Sequence, residues 1–308
     1  MILDFGILVF SQVVKIRGFQ MKIYEFCPFN NENLVASIKH IEHGNFLDEL
    51  HITEADKTFT CEEKKYNYKQ EDSNLIKYHQ MNASDFFKKN GYGLTRTPWF
   101  IRYKNNAWYN ESVQRDLASS WVRPNDDDIV ILSDIDEIID SSRIDEIINQ
   151  VAKHQIITIK IQFTLFYFNL FSKNWTGPPD YSYRVFIMTG KYFNSMKISS
   201  DKLRKLGEHG ALINEVHCLD GFSGFHHSWL GDHNFIAKKI MSYSHGPEDH
   251  DSRLFNSLGE VDIDYVEYCL RNCESIFGKE HSLYQDNKIQ LLKSVNSIRD
   301  KHPQYFLD

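Results

Sequence analysis

The chain has 308 residues, 42% of them hydrophobic and 25% charged. That is the composition of an ordinary folded protein, with enough length to bury a core without disulfide or metal staples, so a disordered segment and a disulfide miniprotein are excluded. A formal charge of −7 leaves no surplus of Lys and Arg to neutralise a nucleic-acid backbone, and nucleic acid is not an expected partner.

The apolar run at residues 1–14 is too short to span a bilayer. Its positive charges, Lys15 and Arg17, follow the run, whereas a signal peptide places them first. Residues 1–20 are therefore expected to be a peripheral extension without a membrane span. From Met21, strand-like and helix-like segments alternate as in an α/β domain. Strands are expected over 22–26, 46–53 and 74–81, with a helix over 30–44, where Leu34, Ile38 and Ile41 recur at helical spacing behind an Asn.

A helix over 105–121 precedes DIVILSDIDEI (128–138), a continuous apolar run that suits a strand buried on both faces and stops abruptly in acids. A helix over 143–153, a β-branched and aromatic strand over 155–168, a turn at 174–180 and a strand over 183–188 follow. GFSGFHHSWLG (221–231) leads into a helix over 234–243, and two amphipathic helices, over 261–277 and 287–299, close the chain. No repeat and no Pro, Gly or Ser-rich linker interrupts this order. One α/β domain is expected over 21–250, with a helical extension over 251–308 packed on it. The cysteines, Cys27, Cys61, Cys218, Cys269 and Cys273, are odd in number and form no C-x-x-C pair, which points to buried thiols in a reducing, cytoplasmic compartment.

In an open α/β sheet, ligands bind outside the carboxyl ends of the strands, where Asp134, Asp136 and Glu137 fall. Two carboxylates two residues apart can turn toward one hard cation that bridges a diphosphate, such as that of a nucleotide sugar. The plainer alternative is an Asp-rich turn that ends a strand and caps the next helix. WYNESVQRD (108–116) groups Asn110 and Gln114 on one helical surface with Arg115 and Asp116 beside them, which suits either the border of the same cleft or a solvated face. His226, His227 and His245 follow in the next block; imidazole is a good ligand for Mn²⁺-type cations, although a lone His is more often a hydrogen-bonded structural residue.

Five pieces carry a family resemblance: FNNENLVASIKHIEHGNFLDELHITEADKTFTCEEK (29–64), NESVQRD (110–116), DDDIVILSDIDEI (126–138), NWTG (174–177) and GFHHSWLGDHNFIAKKIMSYSH (224–245). In this order, over roughly residues 22–250, the sequence resembles glycosyltransferase family 17, the β-1,4-mannosyl-glycoprotein 4-β-N-acetylglucosaminyltransferases. It departs from the family pattern at Phe225, where a Trp is expected, and near Cys61, where a Gly is expected. The resemblance implies a GT-A fold, which is Rossmann-like, and an inverting, metal-dependent transfer of a sugar, GlcNAc from UDP-GlcNAc in the first instance, to a glycan hydroxyl.

By the same resemblance Asp134 and Asp136 hold Mn²⁺ or Mg²⁺ against the UDP diphosphate, with His245 as a third ligand and His226 as the next candidate. Glu54 and Thr58 would meet the uridine, Asn110, Gln114 and Arg115 would border the donor, and Trp175 would stack on a sugar. Glu248 and Glu215 are equal candidates for the base that takes the acceptor proton. Two other readings fit the acid pair: a HAD-type phosphatase with Asp134 as nucleophile, and a glycan-binding module without catalysis.

Overall fold

The computed structural model describes residues 21–69, 73–89, 91–94, 101–104, 106–173, 183–212, 214–244, 250–256, 259–278 and 281–308, with the backbone alone at 91–94 and 101–104. The chain opens with β1 (Ile23–Phe29), α1 (Asn33–His43), β2 (Glu49–Ala55) and β3 (Ile76–Met81). An antiparallel pair, β4 (Gly91–Leu94) and β5 (Ile101–Lys104), leads to α2 (Ala107–Ala118), β6 (Ile129–Leu132) and β7 (Glu137–Ile139). Then come α3 (Ile144–His154), β8 (Ile156–Leu165), β9 (Phe171–Ser172), β10 (Phe186–Thr189), α4 (Gly190–Ser195) and α5 (Ser200–Glu208). β11 (His217–Ser228), α6 (His233–Ser242), α7 (Ile263–Asn272), β12 (Leu283–Tyr284) and α8 (Lys293–Ser297) complete the order.

The main sheet runs β12-β9-β8-β10-β6-β1-β2-β3, with β11 alongside β8 and β7. Strands β3, β2, β1 and β6 are mutually parallel. The chain leaves β1 toward β2 on one side and later returns to β6 on the other. That reversal opens a crevice at the carboxyl ends of β1 and β6, the usual ligand position in such sheets.

The α/β class follows from how β6 is buried. Ile129 and Ile131 pack on the side of Ala36, Ile147 and Val151, while Val130 and Leu132 pack on the side of Phe193 and Leu203. Helices thus cover both faces, which is why the strand reads as unbroken apolar sequence. The C-terminal segment joins the same body, since Leu292 and Val295 pack against Ile38 and Phe168, and Val266 and Cys269 against Ile236 and Trp229.

Several expected elements differ. The apolar strand within 128–138 stops before the acids as expected, because pairing with β1 ends at Leu132 and the amide of Glu137 turns back onto the carbonyl of Asp134 at 3.1 Å, and the short β7 follows the turn. The helix read over 261–277 stops at Asn272, where Cys273 takes a left-handed conformation (φ 52°). The helix read over 287–299 shrinks to α8, since Leu292 before it is extended and buried. Helices α4 and α5 and strands β4, β5, β7, β9, β11 and β12 are additions to the elements expected from the sequence. Among the described residues no helix is long and apolar enough to cross a membrane, and all five cysteines are free thiols. The expected extension at residues 1–20 lies outside the described residues.

Candidate active site

At the crevice the turn after β6 projects its acids toward helices α2 and α5. Asp134 accepts from Arg115 through Nε (3.1 Å) and Nη2 (3.2 Å), and its Oδ2 lies 2.8 Å from Nη2 of Arg204. Burial alone would raise the Asp134 pKa, but the two guanidiniums outweigh it and hold the carboxyl far below its ordinary range. Each guanidinium meets three carboxylates. Arg115 also reaches Glu111 (2.8 Å) and Asp201 (2.7 Å). Arg204 grips both oxygens of the fully buried Glu137 (2.9 and 2.8 Å) and meets Glu208 at 3.1 Å.

Asp136 has different company. Its Oδ2 lies 3.2 Å from Nε2 of His226 and 4.0 Å from Nζ of Lys239. Burial opposes its charge, yet His226 and then Lys239 bring its pKa down to about 2, so it is ionised at neutral pH. His226 is delivered by β11, where it pairs opposite Glu137. Gly224 makes that pairing feasible, because a Cβ there would fall 2.3 Å from the carbonyl oxygen of Ile138.

The turn is pinned from below. Nζ of the fully buried Lys39 on α1 donates to the carbonyl of Asp134 (2.8 Å), the hydroxyl of Ser133 (2.8 Å) and Oε1 of Glu25 on β1 (2.8 Å). Above it, Phe29, Trp108, Arg115, Asp134, Asp136 and Lys239 help to enclose a cavity of about 270 Å³. Its described lining carries five carboxylates and five Lys or Arg side chains. Glu137 and Asp201, directly behind the arginines, leave a local surplus of negative charge.

The other sequence-expected residues fall elsewhere. Glu54 is fully buried and accepts from Lys64, the amides of Asn67 and Tyr68, and the hydroxyl of Tyr78, so it anchors the segment after β2 and does not line the cavity. Thr58 bonds Thr60 and the amide of Glu62 in a turn; its neighbour Phe59 is the residue that reaches the cavity. Asn110 bonds the backbone of Phe59 and Lys88, and Gln114 donates to the carbonyls of Phe29 (2.9 Å) and Thr53 (2.8 Å). Both are buried, and both hold the walls without facing the cavity.

Glu215 is exposed before β11. His217 pairs with Ile157 whereas His226 pairs with Phe163. The start of β11 thus lies six residues of β8 from His226, about 20 Å at strand rise, and Glu215, which precedes that start, does not line the cavity. Trp175, His245 and Glu248 lie outside the described residues. Arg204, Lys239 and Glu32 join the site without having been expected there. The helix carrying Arg204 is legible from Ser199 as its cap, Asp201 in its first turn and Lys205 in its last.

Among the described residues no group of three or more His, Cys, Asp or Glu side chains is arranged for a metal ion. Both oxygens of Asp134 are taken by arginines, which leaves Asp136 as the better placed of the two acids. The surplus negative charge and this hard oxygen donor fit a divalent cation that takes its remaining ligands from a bound diphosphate and water.

The family model for glycosyltransferase family 17 matches residues 12–211. No curated protein matches the sequence. Among solved structures, S. aureus TarS residues 1–349 is 13% identical, with a TM-score of 0.36 over 74% of this chain and 68% of that one. The same segment in complex with UDP-GlcNAc gives 14% identity and 0.33 over 74% and 69%. An active-site mutant of LgtC gives 12% and 0.31 over 68% and 87%.

Proposed function

The chain belongs to glycosyltransferase family 17, and from that premise we propose that it moves GlcNAc from UDP-GlcNAc to a glycan hydroxyl, with inversion, at the cavity beside Asp134 and Asp136. The observation that carries the reading is the pairing of arginines and acids at the carboxyl ends of β1 and β6. A sugar diphosphate brings negative charge to this point, and Arg115, Arg204 and Lys239 are the cations that meet it. The phosphatase alternative falls with the family match, and a family of transferases also argues against a module that only binds.

The roles then divide by contact. Arg115 and Arg204, held rigid by their carboxylates, orient the phosphates and need no reorganisation when charge develops on the leaving group. Asp134 keeps the two guanidiniums side by side. Asp136, steadied by His226, is the carboxylate that would hold Mn²⁺ or Mg²⁺, and the cation would act as a Lewis acid on the departing UDP. Lys39 fixes the carbonyl of Asp134 and so sets the direction of both acids.

Calorimetric titration with UDP, GDP and CMP, with and without Mn²⁺, tests the reading. UDP should bind, and Mn²⁺ should tighten it at least tenfold. Tighter binding of GDP or CMP than of UDP would overturn the donor, and binding indifferent to Mn²⁺ would overturn the cation.

A further inference from the structure

A second cavity, of about 290 Å³, abuts the first and shares two residues with it, Glu32 and Lys239. The two spaces differ in charge. The first is lined by three arginines and two lysines. Among the described residues the second has no arginine; its charged groups are Glu32, Asp232 and Lys239, and Lys239 sits 3.0 Å from Oε1 of Glu32. The aromatic residues Phe235 and Tyr305 line it beside the buried Trp229, set among Asn31 and His227. His227 is buried, with Nδ1 on the hydroxyl of Thr164 at 2.7 Å and Nε2 without a hydrogen-bond partner among the described residues. Asn31 (φ 136°) and Trp229 (φ 61°) both hold left-handed conformations that cost non-glycine residues energy, as residues at ligand sites often do.

We propose that this second cavity is the subsite for a hexose unit of the acceptor glycan, and that Glu32 is the base that takes the proton from its attacking hydroxyl. The proposal rests on the transferase reading above and extends it to the acceptor. A neutral sugar presents apolar C–H faces and a ring of hydroxyls, which suits aromatic plates with amide, imidazole and carboxylate groups and gains nothing from the arginines next door. Glu32 is the carboxylate common to both spaces. Its Oε2 accepts the amide of Asn30 at 3.0 Å, and that bond fixes the side chain at the junction.

In the step, the acceptor O–H gives its proton to Glu32 and its oxygen forms a bond to C1 of the donor sugar. The bond from C1 to the diphosphate oxygen breaks, and its electron pair leaves with UDP. Base catalysis of this kind contributes about 10²–10⁴ in rate.

The probes are p-nitrophenyl glycosides of mannose, galactose, glucose and GlcNAc. Saturation-transfer NMR without nucleotide should show at least one of them bound to the parent and lost in Tyr305→Ala. If none binds the parent, or if binding is indifferent to both Tyr305→Ala and Phe235→Ser, the subsite is refuted. With UDP-GlcNAc and the bound glycoside, Glu32→Gln should lower kcat at least 100-fold while calorimetric UDP affinity stays within about twofold. Glu32→Asp should recover part of the rate, which also guards against a folding defect in the amide. Transfer by Glu32→Gln at the parental rate would refute the base. A parent that binds a glycoside but no nucleotide sugar would instead sink the transferase reading and leave the sugar subsite standing.

Discussion

Two clusters of buried charge meet at Ser133 and Asp134, built from the same ingredients and put to different ends. Below the turn, Glu25, Lys39 and His43 are fully buried. The amide of Ile139 lies 2.8 Å from Nε2 of His43, and Nδ1 of His43 lies 2.6 Å from Oε2 of Glu25. Both oxygens of Glu25 are met within the core, and the cluster is closed. Above the turn, Asp134, Asp136, Arg115 and Arg204 line a cavity, and more carboxylate than cation surrounds it. Ionisable groups in a core therefore do not mark a site by themselves; an imbalance of charge that opens on space does. The closed cluster spans the turn from Ser133 to Ile139 and so holds the open one in position.

The largest effect should come from unbalancing the closed cluster. Lys39→Met removes the lysine that meets Glu25 in the core, and breaking a buried pair in this way costs about 3–5 kcal/mol. Urea denaturation measures it, and a loss below about 1 kcal/mol would show that the pair does not hold the core. In the open cluster the same kind of change should strike activity and spare the fold. Asp136→Asn should lower sugar transfer about 10²–10³-fold at a smaller cost in stability than Lys39→Met. The comparison breaks if Asp136→Asn unfolds the protein or Lys39→Met leaves it intact.

Acid separates the clusters in another way. Burial alone would raise the pKa of Glu25, but its contacts with His43 and Lys39 bring it from an ordinary value near 4.5 to about 2. The folded state therefore binds fewer protons than the unfolded state between these values. This contribution to stability is complete above about pH 4.5 and is lost as pH falls toward 2, with a slope of up to about 1.4 kcal/mol per pH unit for the one group. In Lys39→Met the lysine's share of that lowering is lost and the Glu25 pKa rises, so denaturation midpoints followed from pH 5 to 3 should fall less steeply than in the parent. Equal slopes would show that Glu25 is not the group responsible.

How much of this is legible in the sequence depends on the range of the contact. Asp134 and Asp136 are readable because a doubly buried strand ends in them, and Arg115 because it shares a helix face close by. His226 is readable as chemistry but not as geometry: a metal ligand is expected, and the structure gives a partner for Asp136, since β11 sets it opposite Glu137. Arg204 and Lys239 reach the acids from helices far along the chain, and the helix of Arg204 is not among those the apolar spacing picks out. Glu54, Asn110 and Gln114 mislead for one common reason. Polar residues in buried positions read alike whether they wait for a ligand or satisfy groups of the protein itself, and here they bond the backbone and nearby side chains.

Gln114 offers the finest test of that distinction. Its Nε2 joins the carbonyl of Phe29, at the end of β1, to that of Thr53 on β2. Gln114→Ala removes both donors and strands two buried acceptors, at a cost of about 1–3 kcal/mol. A residue that bound the donor would instead weaken UDP binding by the strength of its own hydrogen bond to the nucleotide. The two outcomes separate cleanly, because Phe29 lines the cavity while Gln114 does not. Denaturation of Gln114→Ala should show the loss of stability, and calorimetry should show UDP affinity within about threefold of the parent. A tenfold weaker affinity at unchanged stability would return Gln114 to the donor site.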